Sequence, residues 1–66
     1  MDIFFNGHKL RVKENLTIKE LIFFLDLNLD LIVIECNKKI LPKKLWQNYF
    51  LTEKTHIEIL TIVGGG

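Results

Sequence analysis

Serine and alanine are absent from this chain of 66 residues, and cysteine and proline occur once each. The lack of serine removes every serine nucleophile. The lone cysteine, Cys36, forbids an internal disulfide and any multi-cysteine zinc or iron–sulfur cage, so a four-cysteine ferredoxin is excluded and a reducing compartment fits. Excess charge of either sign is also missing. Lys plus Arg is 9 and Asp plus Glu is 8, a net charge of +1, too weak a bias for a nucleic-acid or membrane-surface protein. No apolar stretch approaches the roughly 18 to 20 residues of a membrane span. No basic-then-apolar leader precedes the first strand-like run, so the chain is expected to stay soluble where it is made. The length leaves room for one domain and no linker, and there is no internal repeat or low-complexity segment.

What is present belongs to a folded domain: 48% of residues are hydrophobic and 26% charged, far from the composition of a disordered chain. Leu, Ile, Lys, Asn and Phe dominate, a bias of low-GC genomes such as those of organelles. The compartment expected from this is the cytoplasm or the plastid stroma.

Along the chain, Ile3-Phe4-Phe5 and residues 9–12 are short apolar or alternating runs separated by Asn6-Gly7. Asn-Gly suits a type I′ turn, which needs positive φ at both central positions, so this segment reads as a β-hairpin. Thr17 stands three residues before Glu20, the spacing of a capping box, and predicts a helix starting at Ile18. Ile18, Leu21, Ile22 and Leu25 then recur at i, i+3, i+4 and i+7, one stripe facing a core. The helix is expected to end near Asp26, with a loop over 27–30. Residues 31–36 are rich in β-branched side chains and read as a strand entering the turn Asn37-Lys38-Lys39. Ile40 and Leu41 form a short return strand stopped by Pro42, and residues 43–49 hold one helical turn carrying Trp46. A last strand runs over 56–63, with Ile57, Ile59 and Thr61 on one face and Glu58, Leu60 and Ile62 on the other.

One sheet crossed by one helix is the economical arrangement of these elements, an α+β domain with the last strand beside and parallel to the first. This is the order of the β-grasp, or ubiquitin-like, fold: a mixed sheet packed on one helix. Its core is predicted from the inward periodicities as Ile3, Phe5, Leu10, Val12, Ile18, Leu21, Ile22, Leu25, Ile34, Cys36, Ile57 and Ile59.

Chemistry is sparse. Cys36 shares a strand face with Ile32 and Ile34 and lacks an activating partner nearby in sequence, so it reads as a small core hydrophobe. His8 and His56 lack the spacing of a metal pair and read as surface residues, and no metal is assigned. The carboxylates are scattered singly, and a domain this small offers little room for a substrate cleft, so no catalytic residue is assigned and the chain is not expected to be an enzyme. Lys38, Lys39, Lys43 and Lys44 read as a solvated charged face rather than a phosphate-binding patch.

The chain closes on Gly64, Gly65 and Gly66 directly after a strand-like run. Glycines there contribute nothing to packing, but without Cβ atoms they can thread a narrow channel and deliver a terminal carboxylate. The division expected is a domain over 1–63 and a flexible reactive tail over 64–66.

Taken together, Ile3-Phe4-Phe5-Asn6-Gly7, the helix entry from Thr17, Ile34-Glu35-Cys36-Asn37-Lys38 followed by Ile40-Leu41-Pro42-Lys43 and Trp46, and the Val63-Gly64-Gly65-Gly66 end resemble the ThiS family, the thiamine-biosynthesis sulfur carriers. Two positions depart from the family pattern: Glu53-Lys54-Thr55 stands where an Asp-Gly-Asp type turn is usual, and Lys38 where glycine is frequent. The resemblance implies that an adenylating enzyme (ThiF-like), using ATP and magnesium, activates the Gly66 carboxylate. Sulfur from a donor such as a cysteine desulfurase then gives a thiocarboxylate, which supplies thiazole synthase (ThiG-like). The chain itself is expected to bind no cofactor and to be a monomer when free. Strand alternation sets Phe4, Leu60 and Ile62 outward with Glu35 and Glu58 nearby, the expected docking face for these partners. Two alternatives share the fold: a molybdopterin-synthase small-subunit type of carrier, and a TGS-like binding module with an inert tail.

Overall fold

Asn6 and Gly7 have φ of 50° and 83°, the paired positive values of a type I′ turn. They join β1 (Asp2–Phe5) to β2 (His8–Arg11) in the antiparallel register Ile3 to Leu10 and Phe5 to His8. These elements come from a computed structural model, which describes residues 1–61. The expected positions Ile62, Val63, Gly64, Gly65 and Gly66 lie outside the described residues.

Helix α1 (Ile18–Phe24) starts where the capping box places it. The Glu20 amide donates to Thr17 Oγ1 at 3.1 Å, and the Thr17 amide donates to Glu20 Oε1 at 2.9 Å. Each side chain thereby satisfies an amide that the first helical turn leaves unpaired. The Thr17 amide first, and then the Thr17 hydroxyl, 3.0 Å from the same Oε1, hold the Glu20 carboxyl below its ordinary range. The helix stops two residues short of Asp26, which takes a positive φ of 56°. The expected loop over 27–30 is partly ordered as a 3-10 turn, Leu29–Leu31, capped by the Asn28 side chain. The following strand therefore begins one residue later than expected.

β3 (Ile32–Cys36) turns through Asn37 and Lys38 into β4 (Lys39–Ile40). Residues 43–49, expected to hold a single turn, contain the longer 3-10 helix Lys43–Asn48. The last strand, β5 (His56–Thr61), lies at the centre of the sheet order β2-β1-β5-β3-β4. It runs parallel to β1 and antiparallel to β3, the mixed sheet of the β-grasp.

The core lies between the sheet and α1. Ile3, Ile18, Leu21, Ile22, Ile34 and Ile57 are all but fully buried, with Cys36 beside them, and Phe5, Leu10, Val12, Leu25 and Ile59 pack around these. Ile32 joins them from the inward face of β3, and Leu16, Leu41, Trp46 and Leu51 complete the core from outside the regular periodicities. The segment around Phe50 folds back on the helix entry: the Ile18 amide donates to Tyr49 O, and the Leu51 amide to Leu16 O. The Trp46 indole N–H, buried, donates to Leu41 O at 2.9 Å.

The two departures from the family pattern fall on strained backbone. Lys38 has φ of 70° and Lys54 of 65°, a region in which a Cβ meets the following carbonyl. Lys38 is exposed and in neither ion pair nor side-chain hydrogen bond among the described residues. Replacing it with glycine relieves the strain and loses little else. Lys38→Gly is expected to raise the stability by about 0.5 to 1 kcal/mol, read as a higher urea midpoint followed by Trp46 fluorescence. A lower midpoint would show that the turn is not strained.

Candidate functional site

The part of the molecule that bears on the glycine end is β5, whose chain continues into it. Both edges of β5 are fastened by an asparagine from a hairpin turn. On the β1 side, the Asn6 amide donates to Ile57 O at 2.8 Å, and Asn6 Oδ1 accepts from the Ile59 amide at 2.8 Å. On the β3 side, the Asn37 amide donates to His56 O at 2.8 Å, and Asn37 Oδ1 accepts from the His56 amide at 3.0 Å. Each asparagine takes the first left-handed position of its turn and also extends the sheet ladder with its side chain. The first role is readable from the sequence. The second depends on which strand lies alongside, and sequence reasoning missed it.

The sheet face turned away from α1 carries the side chains expected to dock partners. Phe4 is half-buried because its ring stacks on His56, with centroids 4.5 Å apart and planes at 16°. His56, exposed as expected, thus supports an aromatic platform across the parallel β1–β5 pair. Glu58 lies directly opposite Glu35, and Leu60 directly opposite Val33. Leu60 is 53% exposed. Facing carboxylates on adjacent strands repel, and among the described residues no salt bridge reaches either glutamate. At the β2 edge, Asp2 meets Arg11 at 3.5 Å and Lys9 at 3.9 Å. Phe4, Glu35, Glu58 and Leu60 are therefore brought onto one face, while Ile62 lies outside the described residues.

The remaining candidates for chemistry are structural. Cys36 is buried, and its Sγ donates to Tyr49 Oη at 3.3 Å. Hydrogen bonding of the phenol to the Cys36 sulfur, repulsion from that sulfur when it is ionised, and some burial push the Tyr49 phenol above its ordinary range. His8 is exposed, and no group of His, Cys, Asp or Glu able to hold a metal occurs among the described residues. Of the lysine cluster, Lys43 binds Asp30 at 2.8 Å, which holds the Asp30 carboxyl below its ordinary range. No helix among the described residues is long and apolar enough to cross a membrane.

Residues 3–66, glycine end included, match the family model described as the ThiS family. The chain belongs to the ThiS family. It is 38% identical over 61 residues to a protein named uncharacterized protein ycf40 from Porphyra purpurea, covering 92% of this chain and 86% of that protein. A protein of the same name from Trieres chinensis is 36% identical over 63 residues, covering 96% of this chain and 86% of that one. The crystal structure of the thiamine biosynthesis protein (ThiS) from Geobacter metallireducens superposes with a TM-score of 0.88 at 25% identity, and all of both chains is covered. A solution structure of a thiamine biosynthesis protein from the same organism shares the fold, with a TM-score of 0.79 at 23% identity over all of this chain and 88% of that one. The β-grasp expected of this ThiS-family chain is thus the fold it has.

Proposed function

We propose that this protein is a sulfur carrier of thiamine biosynthesis whose working group is the carboxylate of Gly66. The observation that carries the reading is the ThiS-family match extending through Gly64, Gly65 and Gly66. In the cycle this implies, the Gly66 carboxylate attacks the α-phosphate of ATP in a ThiF-like adenylating enzyme, forming an acyl-adenylate and releasing pyrophosphate. A persulfide on a donor such as a cysteine desulfurase then forms a C–S bond as AMP leaves; a second thiol attacks the S–S bond of the resulting acyl disulfide, closing a disulfide with the donor's sulfur, and the chain ends in a thiocarboxylate. A ThiG-like thiazole synthase receives that sulfur. ATP and magnesium belong to the adenylating partner, and this chain serves as its co-substrate rather than as an enzyme. A reducing plastid stroma or cytoplasm suits a thiocarboxylate, and the algal relatives favour the plastid.

Docking is assigned to the open sheet face, with residues 64–66 as the reactive tail. An apolar partner group over Phe4 and Leu60, together with a cation between Glu35 and Glu58, would relieve the carboxylate repulsion that the free protein carries. Leu60→Asp is expected to leave the fold unchanged, since the side chain is more than half exposed, and to slow adenylation by about tenfold or more. Pyrophosphate exchange with the cognate adenylating enzyme measures this, and an unchanged rate would place docking elsewhere. The carrier reading itself is tested by intact mass after incubation with ATP, the adenylating enzyme and a sulfur donor. The expected product has one carboxyl oxygen replaced by sulfur.

A further inference from the structure

Asn6 is followed by Gly7, whereas Asn15, Asn28, Asn37 and Asn48 are followed by Leu, Leu, Lys and Tyr. A following residue without a Cβ leaves its backbone nitrogen free to approach the asparagine side chain, and that approach is the first step of deamidation. Neighbours do not shield the pair. Both residues are exposed, and a Cβ added at Gly7 would meet no atom within 4 Å.

The fold restrains the pair by conformation instead. Attack on Asn6 Cγ closes a five-membered ring through the Gly7 nitrogen, so that nitrogen must come level with Asn6 Cβ. Asn6 and Gly7 take the φ values of a type I′ turn, 50° and 83°. Such a turn sets ψ of its first central residue at about +30°, which leaves the Gly7 nitrogen almost opposite Cβ. The side chain is held as well: Asn6 Oδ1 accepts from the Ile59 amide at 2.8 Å, while the Asn6 amide donates to Ile57 O at 2.8 Å. Ring closure has to break the Oδ1 bond and rotate the backbone of the turn. Asn37 makes the same two kinds of bond to β5, but the residue after it is Lys38. The two clamps are alike in geometry and differ in chemistry.

We propose that Asn6 is a site of spontaneous modification, closed in the folded chain by its bond to β5 and opened to deamidation when that bond breaks. The Gly7 nitrogen gives up its proton to a base and bonds to Asn6 Cγ as the Cγ–Nδ2 bond breaks, and the side-chain nitrogen leaves as ammonia. Water then opens the succinimide. Opening between nitrogen and Cγ gives aspartate, which keeps an acceptor for the Ile59 amide. Opening at the other carbonyl gives isoaspartate, whose main chain runs through Cβ and Cγ. That product lengthens a two-residue turn by one backbone atom and moves the acceptor away, so β5 loses a tie on its β1 edge. The proposal does not depend on the sulfur-carrier reading.

The test incubates the full chain at neutral pH, folded in buffer and unfolded in urea. Tryptic peptide 1–9, in which Asn6 is the only asparagine, is followed by mass for replacement of NH2 by OH, and chromatography separates aspartate from isoaspartate. Asn6 is expected to react first among the asparagines of the unfolded chain, and at least about tenfold more slowly in the folded one. A synthetic full chain with an ester in place of the peptide bond between Glu58 and Ile59 lacks the Ile59 N–H. Shown to be folded by circular dichroism, it is expected to deamidate about threefold faster than the native chain. Amide hydrogen exchange at Ile59 in the native chain reports opening of the same bond without a variant. Equal rates in folded and unfolded chains overturn the proposal, as does an unfolded chain that reacts first elsewhere. A folded ester chain no faster than the native one overturns it too, and so does deamidation at the unfolded rate while the Ile59 amide stays protected from exchange.

Discussion

One residue added after Gly66, or Gly66 removed, is expected to abolish adenylation while leaving the folded domain as stable as before. The reaction needs a carboxylate at the α-phosphate, and approach geometry of this kind tolerates displacements of well under a residue's length. An added residue moves the carboxylate by about 3.5 Å and places an amide where the nucleophile belongs. Deletion withdraws it by the same distance. Neither change alters a core side chain, because glycine has none to bury and the core described above ends at Ile59. The measurement is pyrophosphate exchange with the cognate adenylating enzyme, using extended chain confirmed uncleaved by mass, beside a urea denaturation of the same samples. Equal exchange from native and extended chains would overturn the carrier reading and leave a β-grasp binding module in its place.

The largest losses of stability are expected at Leu21 and Trp46. Leu21 is 1% exposed at the centre of the α1 stripe, and truncation there leaves a cavity between helix and sheet. Leu21→Ala is expected to cost about 2 to 5 kcal/mol. Trp46→Ala is expected to cost about 3 to 5 kcal/mol, because it empties a larger volume and leaves Leu41 O without its indole donor. A domain of this size has little stability to spare, so either variant should be substantially unfolded near physiological temperature. Circular dichroism in urea reads both, with Phe23→Ala as the exposed control expected to change by less than about 0.5 kcal/mol. An unchanged midpoint for Leu21→Ala would mean that the helix faces the sheet in another register.

Local chemistry made much of this fold legible. Asn6-Gly7 names its turn because few residue pairs accept two positive φ values, and Thr17 with Glu20 names its helix start because both partners lie within one turn. The stripe from Ile18 to Leu25 and the alternation of β5 follow from the periods of helix and strand, so the sheet order and the twelve expected core residues could be argued before any coordinates. The glycine end is likewise a property of sequence alone. Other features required the chain to be folded. Leu16, Leu41, Trp46 and Leu51 are core residues in segments without helix or strand periodicity, and they are buried because the 49–51 segment returns to the helix entry across some thirty residues. The second bond of Asn6 and of Asn37 exists because β5 is inserted between the two hairpins. The stack of Phe4 on His56 and the opposition of Glu35 to Glu58 also come from register and proximity. Sequence determined the elements and the glycine end, since those depend on a few neighbouring residues. Tertiary structure decided which side chains share a surface, since that depends on pairings between residues far apart in the chain.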